Sequence, residues 1–187
     1  MLLLGAFVNG VRLLLALIML YPAQRLLAAE ATMSPYEARA VLVFKIAQFT
    51  EWPKESFESD NAPFVMGILG DDPLKPDFSY IDGKTIKGRQ LVVRRFSNPQ
   101  EATKCQLLFI GSSEESRVPK ILKALENSNV MTVAEMDGFI EHDGVVNLGQ
   151  QKTKGDMGNL RFQINRAAAE KAKLKINSQL LSLASKK

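Results

Sequence analysis

Residues 64–73 read Phe-Val-Met-Gly-Ile-Leu-Gly-Asp-Asp-Pro, and this stretch indicates the fold. Six consecutive apolar residues followed by a turn are typical of a strand that is buried on both faces of a sheet. A second run of this kind, at 105–110, leads into the polar stretch Gly-Ser-Ser-Glu-Glu at 111–115. Strands buried on both faces are found in sheets that are covered by helices on both sides. The two runs therefore favour an α/β protein.

Further strands are predicted at 90–96, 129–133, 145–148 and 160–164, and the last two could form a hairpin. A helix is predicted after Ser34, with Pro35 in its first turn, and it ends before Trp52-Pro53. Another helix contains Val118 to Leu125, and two more are predicted at 166–173 and 178–184. We expect an α/β, single-domain layered fold with a mixed central sheet of about six strands, flanked by helices.

Residues 1–31 have the pattern of a secretory signal peptide. The uninterrupted apolar run at 13–21 is shorter than the ~20 residues of a membrane-spanning helix. Ala29-Glu30-Ala31 fits the small-x-small cleavage pattern. We expect export into a bacterial periplasm, with residues 32–187 as the mature domain, and an uncleaved membrane anchor as the alternative.

Composition excludes several classes of protein. The chain has 24 Lys and Arg against 20 Asp and Glu, a net charge of +4, which is too small and scattered an excess to predict a nucleic-acid partner. With 46% hydrophobic residues and one cysteine, it is neither intrinsically disordered nor a disulfide-dense scaffold.

We predict no catalytic residues, no metal and no cofactor. His142, the single histidine, lies in a polar Glu-His-Asp-Gly turn, and Cys105, the single cysteine, begins a buried strand. One histidine and one cysteine cannot form the usual zinc sites. A hydrolase that uses His142 is the weakest of the functional hypotheses, because the sequence does not indicate the partners that it would need.

Three groups of residues are candidates for binding a partner or a ligand. Trp52, the single tryptophan, either fills part of the core or anchors an interface, together with Phe49. Asp71 and Asp72 end one buried strand, and they could bind a hard cation or be solvated. Ser112 and Ser113 end the other strand and are interpreted as helix caps, with Ser112 and Glu115 forming a capping box. Three arginines are predicted on the solvated face of a strand: Arg89, Arg94 and Arg95.

With these segments in order, the sequence resembles the YfiR family of periplasmic proteins. The matching stretches are 36–40, 49–53, 65–73, 105–113, 131–133, 162–168 and 180–184, and they cover nearly all of residues 35–184. The resemblance implies a compact α/β protein without known enzymatic activity. It also implies a repressor that binds the periplasmic sensor domain of an inner-membrane diguanylate cyclase, and that an outer-membrane lipoprotein can sequester.

The sequence departs from this family at three points. Gln163 stands where relatives usually have Glu, Lys173 stands where Gly is common, and Cys105 is alone where some relatives have cysteine pairs. These departures concern the identity of the partner rather than the fold. The oligomeric state stays open between a monomer and a homodimer.

The sequence thus supports two functional hypotheses. The first is a periplasmic regulatory binding protein that represses a membrane diguanylate cyclase and so controls cyclic di-GMP signalling and biofilm formation. The second is a periplasmic small-molecule-binding protein, a carrier or sensor, whose ligand lies in the crevice at the strand ends near 70–72 and 111–113.

Overall fold

The computed structural model describes residues 33–72, 78–150 and 160–184. The predicted signal peptide at 1–31 and residues 151–159, between the last two predicted strands, lie outside the described residues. The helices are α1 (Pro35–Gln48), α2 (Val118–Ala124), α3 (Arg166–Lys171) and α4 (Ser178–Leu183). Short 3-10 helices are Lys54–Ser56, Phe78–Tyr80, Glu101–Lys104 and Ser112–Arg117. Within this described part, no helix is sufficiently long and apolar to cross a bilayer.

The described residues form a seven-stranded mixed sheet and a separate two-stranded ribbon. The strands are β1 (Thr50–Glu51), β2 (Phe64–Leu69), β3 (Thr85–Ile86), β4 (Arg89–Phe96), β5 (Leu107–Ile110), β6 (Met131–Ala134), β7 (Val146–Gln150), β8 (Leu160–Ile164) and β9 (Lys175–Ile176). The main sheet has the order β3-β4-β2-β5-β6-β7-β8. Its five central strands are parallel, and the two edge strands, β3 and β8, are antiparallel to their neighbours. The α/β prediction is confirmed.

Helix α1 covers one face of the sheet through a stripe of residues at helical spacing. Ala40, Val43, Ile46 and Ala47 are all at most 1% exposed and belong to the larger of two core clusters. The same cluster includes residues of β2 and β5 that point towards this face. Residues 38–49 are apolar except for Arg39, Lys45 and Gln48, and this composition is explained by burial of one broad helical face.

A second core cluster lies on the opposite face of the sheet, under α2. Val118 and Ile121 of α2 and Leu125, directly after the helix, belong to it, and Leu122, the fourth residue of the predicted spacing, is half-buried against it. Leu108 and Ile110 of β5 point into this cluster, while Leu107 and Phe109 point into the first. Because successive side chains of a strand alternate between faces, a run that is apolar on both faces is the expected sequence for β5.

The two-stranded ribbon was not predicted. β1 pairs antiparallel with β9, with Thr50 opposite Ile176. The amide of Asn177 donates to the carbonyl of Phe49 at 2.9 Å, which extends the pairing. This ribbon joins the end of α1 to the C-terminal helices, and each of its strands is too short to produce a periodic pattern.

Candidate functional site

Two of the predicted groups meet at the carboxyl ends of β2 and β5. Because these strands are parallel neighbours, the loops that follow them leave the same edge of the sheet. The amide of Asp71 donates to Oγ of Ser113 at 2.9 Å, and the amide of Ser113 donates to the carbonyl of Asp71 at 3.0 Å. We call residues 70–72 and 111–113 the strand-end cluster.

Glycines allow the two loops of this cluster to approach each other. Gly70 has a φ of +76°, in the left-handed region that favours glycine. A Cβ atom at Gly111 would lie 2.5 Å from the carbonyl oxygen of Asp71, so any larger residue would push the loops apart.

The capping box predicted for Ser112 and Glu115 is wrong. The residue that caps the 3-10 helix Ser112–Arg117 is Gly111, and no side chain makes the cap hydrogen bond. Ser112 lies inside the helix, while the hydroxyl of Ser113 accepts a hydrogen bond from Asp71 in the neighbouring loop. The side chain that could have capped the helix therefore joins two loops instead.

A cleft of about 490 Å³ adjoins the strand-end cluster. Its lining residues are Ile68, Gly70, Asp71, Asp72, Phe78, Arg95 and Phe109. The rings of Phe78 and Phe109 meet edge to face with centroids 5.0 Å apart, and with Ile68 they form the apolar part of the lining. Arg95 lies 3.6 Å from the Asp71 carboxylate, and both side chains are largely exposed, so this ion pair contributes little stability.

Trp52 lies at the other end of the sheet and is half-buried. Its indole Nε1 donates to the carbonyl of Gln106 at 2.8 Å, and its ring meets Phe64 edge to face at 4.9 Å. The indole thus packs against the core, which is the first of the two interpretations given to it. Phe49 differs, because 43% of its surface is exposed.

The six candidate residues therefore do not form one site. Gln106, which binds Trp52, precedes β5, whereas Gly111 of the strand-end cluster follows it. The four residues of β5 between them span about 13 Å. The structure brings Asp71, Asp72, Ser112 and Ser113 together and leaves Phe49 and Trp52 at the opposite end of the sheet.

Sequence reasoning missed the role of Gln106. This side chain, 3% exposed, accepts a hydrogen bond from the amide of Val65 at 2.7 Å and donates to the carbonyl of Ser56. Its backbone carbonyl accepts from Trp52 and from the amide of Met131 at 2.9 Å. Gln106 thus joins the loop that holds Trp52 to three strands. The available signal was a single amide side chain inside an otherwise apolar run.

The three arginines do not form one basic cluster. The guanidinium of Arg89 stacks over the ring of Phe57 at 3.9 Å and donates to the carbonyls of Ser59 and Ala62. Arg94 and Arg95 are both exposed, but as neighbours in β4 they point to opposite faces of the sheet. The prediction that all three lie on one solvated face is therefore wrong.

Cys105 is buried and His142 lies in a turn, as the sequence predicted, but Cys105 follows a 3-10 helix and does not begin β5. Cys105 is 4% exposed, and burial raises the pKa of its thiol from 9.0 to about 12. His142 lies exposed in a turn. Among the residues that the structure describes, no three His, Cys, Asp or Glu side chains are grouped so that they could hold a metal ion.

We expect the Cys105 thiol to resist alkylation in the native protein. The thiolate is the reactive form, and a thiol with a pKa near 12 is protonated at neutral pH. Labelling with iodoacetamide should proceed in urea and be far slower in native buffer. Rapid labelling of the native protein would contradict this placement.

The same pKa predicts the direction of a pH effect on stability. Below pH 9 the thiol is protonated in both states, so its titration has no effect. Above pH 9 it ionises first in the unfolded chain, and the free energy of unfolding falls as the pH rises towards 12. The Cys105→Ala variant should show a smaller decrease than the unmodified protein over this range.

Comparison with protein families shows to which family this chain belongs. Residues 36–185 match the family model described as YfiR/HmsC-like. The chain belongs to the YfiR/HmsC-like family. The family match covers α1, the ribbon, the strand-end cluster and every strand of the main sheet.

One solved structure supports the fold. A conserved domain protein from Vibrio cholerae aligns with a TM-score of 0.53 and 16% identity, over 81% of this chain and 60% of that chain. The ABC domain in complex with L-Trp from Streptococcus pneumonia aligns with a TM-score of 0.49 and 12% identity, over 81% of this chain and 59% of that one. This YfiR/HmsC-like chain thus spans about 60% of the length of these two structures. No curated protein matches it.

Proposed function

We propose that this protein is a periplasmic regulatory binding protein that represses a membrane diguanylate cyclase through the periplasmic sensor domain of that enzyme. The observation that supports this most strongly is the match to the YfiR/HmsC-like family over residues 36–185. In this proposal, residues 1–31 direct export, and residues 32–187 hold the output of the cyclase low. An outer-membrane lipoprotein would relieve the repression by sequestering the protein.

The placement of the reactive side chains favours binding over catalysis. The Cys105 thiol is buried with a raised pKa, and the Ser113 hydroxyl is engaged by the amide of Asp71. His142 lies in an exposed turn, whereas Cys105 is inside the second core cluster. A nucleophile and a base within hydrogen-bonding distance would favour an enzyme, and this pair of residues does not provide them.

Repression by binding requires a difference in affinity between two states of the cyclase. A partner that bound the active and inactive states equally would not change the ratio of the two states, however tightly it bound. Driving an enzyme from 99% active to 99% inactive needs about 10⁴-fold tighter binding to the inactive state. The repressor must therefore offer a surface with a defined geometry rather than a flexible one.

Phe49 is the exposed aromatic residue best suited to such a contact. The residue is 43% exposed, while its backbone is held by hydrogen bonds to Lys45 at 3.1 Å and from Asn177 at 2.9 Å. An aromatic side chain on a rigid backbone loses little entropy on binding, and such residues often dominate the energy of interfaces.

Co-purification of the cyclase tests the proposal. Tagged protein is expressed in its host cell, membranes are solubilised in mild detergent, and captured diguanylate cyclase is identified and quantified by mass spectrometry. We expect the cyclase with the unmodified protein and much less of it with Phe49→Ser. Tyr80→Ser is the matched control, since this aromatic side chain is 41% exposed.

Two results would contradict these expectations. Capture of no diguanylate cyclase by the unmodified protein would count against the proposed function. Equal capture by Phe49→Ser and the unmodified protein would count only against the role of Phe49.

The cleft beside the strand-end cluster favours a second candidate, a small-molecule carrier or sensor. Its volume of about 490 Å³ falls within the usual range for ligand sites, and it combines aromatic rings with charged groups of both signs. A metabolite that co-purifies with the protein and is lost in Gly111→Val would support this candidate, because a larger residue at 111 separates the loops beside the cleft.

A further inference from the structure

A second cavity, of about 240 Å³, lies on the α2 side of the sheet. The cleft beside the strand-end cluster is on the other side, where Ile68 and Phe109 belong to the first core cluster. The apolar lining of the second cavity includes Val65 of β2 and Phe96 of β4, both half-buried at the margin of the second core cluster. Gly67 makes room for the aromatic ring, since a Cβ atom there would lie 2.6 Å from it. The cavity is somewhat smaller than the ~300 Å³ at which sites for drug-sized ligands begin, so it suits a molecule of about one ring.

Arg94 lines this cavity, and its charge has no partner in the described part of the chain. Four charged side chains of the described residues line the cavity, and the other three have partners. Lys104 and Glu58 lie 4.0 Å apart, and the Glu101 carboxylate accepts a hydrogen bond from Asn98 at 2.6 Å. No described carboxylate comes within 4.0 Å of the Arg94 guanidinium. A guanidinium binds a carboxylate through two parallel hydrogen bonds, so Arg94 favours a ligand with this group.

The hydroxyl of Ser56 is a second group at this cavity that lacks a partner among the described residues. Its oxygen is buried and makes no hydrogen bond there, while the carbonyl of the same residue accepts one from Gln106. A buried hydroxyl without a partner is destabilising, and native proteins usually satisfy such groups. A serine side chain can rotate among three χ1 conformations, so this hydroxyl can turn towards a polar group that enters the cavity.

We propose that this cavity binds a small aromatic monocarboxylate that has a hydroxyl group at the far end of its ring. The carboxylate binds Arg94, the ring packs on Val65 and Phe96, and the hydroxyl binds Ser56. Each part of the ligand thus corresponds to one feature of the lining: an unpaired charge, an apolar surface and an unpaired hydroxyl. The proposal concerns a ligand of this chain and does not depend on the proposed function.

Titration of the isotope-labelled protein with para-hydroxybenzoate, followed by NMR, tests this site. We expect saturable shifts of the amide signals of Val65, Phe96 and Gln106. The signals of Gly70 and Gly111, in the strand-end cluster, should not move. Para-hydroxybenzamide keeps the ring without the charge, and acetate keeps the charge without the ring, so each should bind at least ~10-fold more weakly.

Substitution of Arg94 tests the contact with the carboxylate. We expect the Kd of para-hydroxybenzoate to rise about 10- to 100-fold in Arg94→Gln, and less in Arg94→Lys, which keeps the charge but not the paired hydrogen bonds. Arg95→Gln is the matched control, because the next residue of β4 points to the opposite face and its loss should leave the Kd unchanged. Melting temperatures verify that each variant is folded. Absence of saturable binding would overturn the proposal, as would an equal loss in Arg95→Gln.

Replacing Ser56 with alanine separates a hydrogen bond to the ligand from a change in the shape of the cavity. The Kd of para-hydroxybenzoate should rise roughly 2- to 10-fold, whereas the Kd of benzoate, which lacks the hydroxyl, should not change. The melting temperature should not fall, because the variant removes an unpaired hydroxyl. Ser59→Ala, at an exposed position of the same loop, is the control and should change neither Kd. Equal losses for both ligands in Ser56→Ala would overturn the role of Ser56.

Discussion

Replacing Arg39 with methionine is expected to lower the free energy of unfolding by about 3–5 kcal/mol, because it leaves the Glu135 carboxylate without its partner in a nearly buried position. Nε of Arg39 lies 2.8 Å from Oε2 of Glu135, and their side chains are 3% and 11% exposed. A second guanidinium nitrogen donates to the carbonyl of Pro35 at 3.1 Å. Urea denaturation measures the effect.

A double variant shows how much of the decrease in the free energy of unfolding comes from the unpaired Glu135 carboxylate and how much from the smaller side chain at position 39. Replacing both charges, as Arg39→Met with Glu135→Leu, removes the unpaired carboxylate and should recover much of the stability. The exposed pair Lys171–Asp143, with nitrogen and oxygen 3.0 Å apart, is the control, and Lys171→Met should change stability by less than about 1 kcal/mol. If Arg39→Met destabilised the protein no more than Lys171→Met, the ion pair would not have the role we assign to it.

Replacing Gln106 with leucine should produce the second large loss, about 2–4 kcal/mol. Leucine fills a similar volume, but it leaves the amide of Val65 and the carbonyl of Ser56 without the partner that Gln106 provides. Each buried polar group that loses its only partner costs about 1–3 kcal/mol. Because the chain has a single tryptophan, fluorescence of Trp52 can follow unfolding, and it also reports on the loop that Gln106 holds.

The control for this variant is Gln90→Leu, at an exposed position in β4. We expect Gln90→Leu to leave both the unfolding midpoint and the Trp52 emission near those of the unmodified protein. In Gln106→Leu the native emission should shift to longer wavelength as water reaches the indole. An unchanged midpoint and an unchanged spectrum in Gln106→Leu would show that these hydrogen bonds do not hold the loop.

Local patterns were sufficient to predict most of the architecture. The apolar runs at 64–69 and 105–110 indicated buried strands, since a strand covered on both faces needs apolar residues at every position. The spacing of Val118, Ile121 and Leu125 placed the buried face of α2 correctly. These features depend on neighbouring residues, which the sequence shows directly.

Contacts between distant residues could not be predicted in this way. Arg39 was evident as a charge in an apolar helix, but Glu135 lies 96 positions away, and no local pattern connects them. The crevice between 70–72 and 111–113 was expected, but the hydrogen bond from the Asp71 amide to the Ser113 hydroxyl was not, because it requires β2 and β5 to be adjacent. The candidate residues were predicted in separate groups, and the structure joins the aspartates and serines at one end of β5 while Phe49 and Trp52 lie at the other.

The central claim, repression of a membrane diguanylate cyclase, is tested most directly by the cyclic di-GMP content of cells that lack this gene. Four strains are compared: the parent, a deletion of this gene, a deletion of the co-purifying cyclase, and the double deletion. We predict that cyclic di-GMP and biofilm rise when this gene is deleted and do not rise when the cyclase is absent as well. Unchanged cyclic di-GMP in the single deletion, or a rise that persists without the cyclase, would contradict the account.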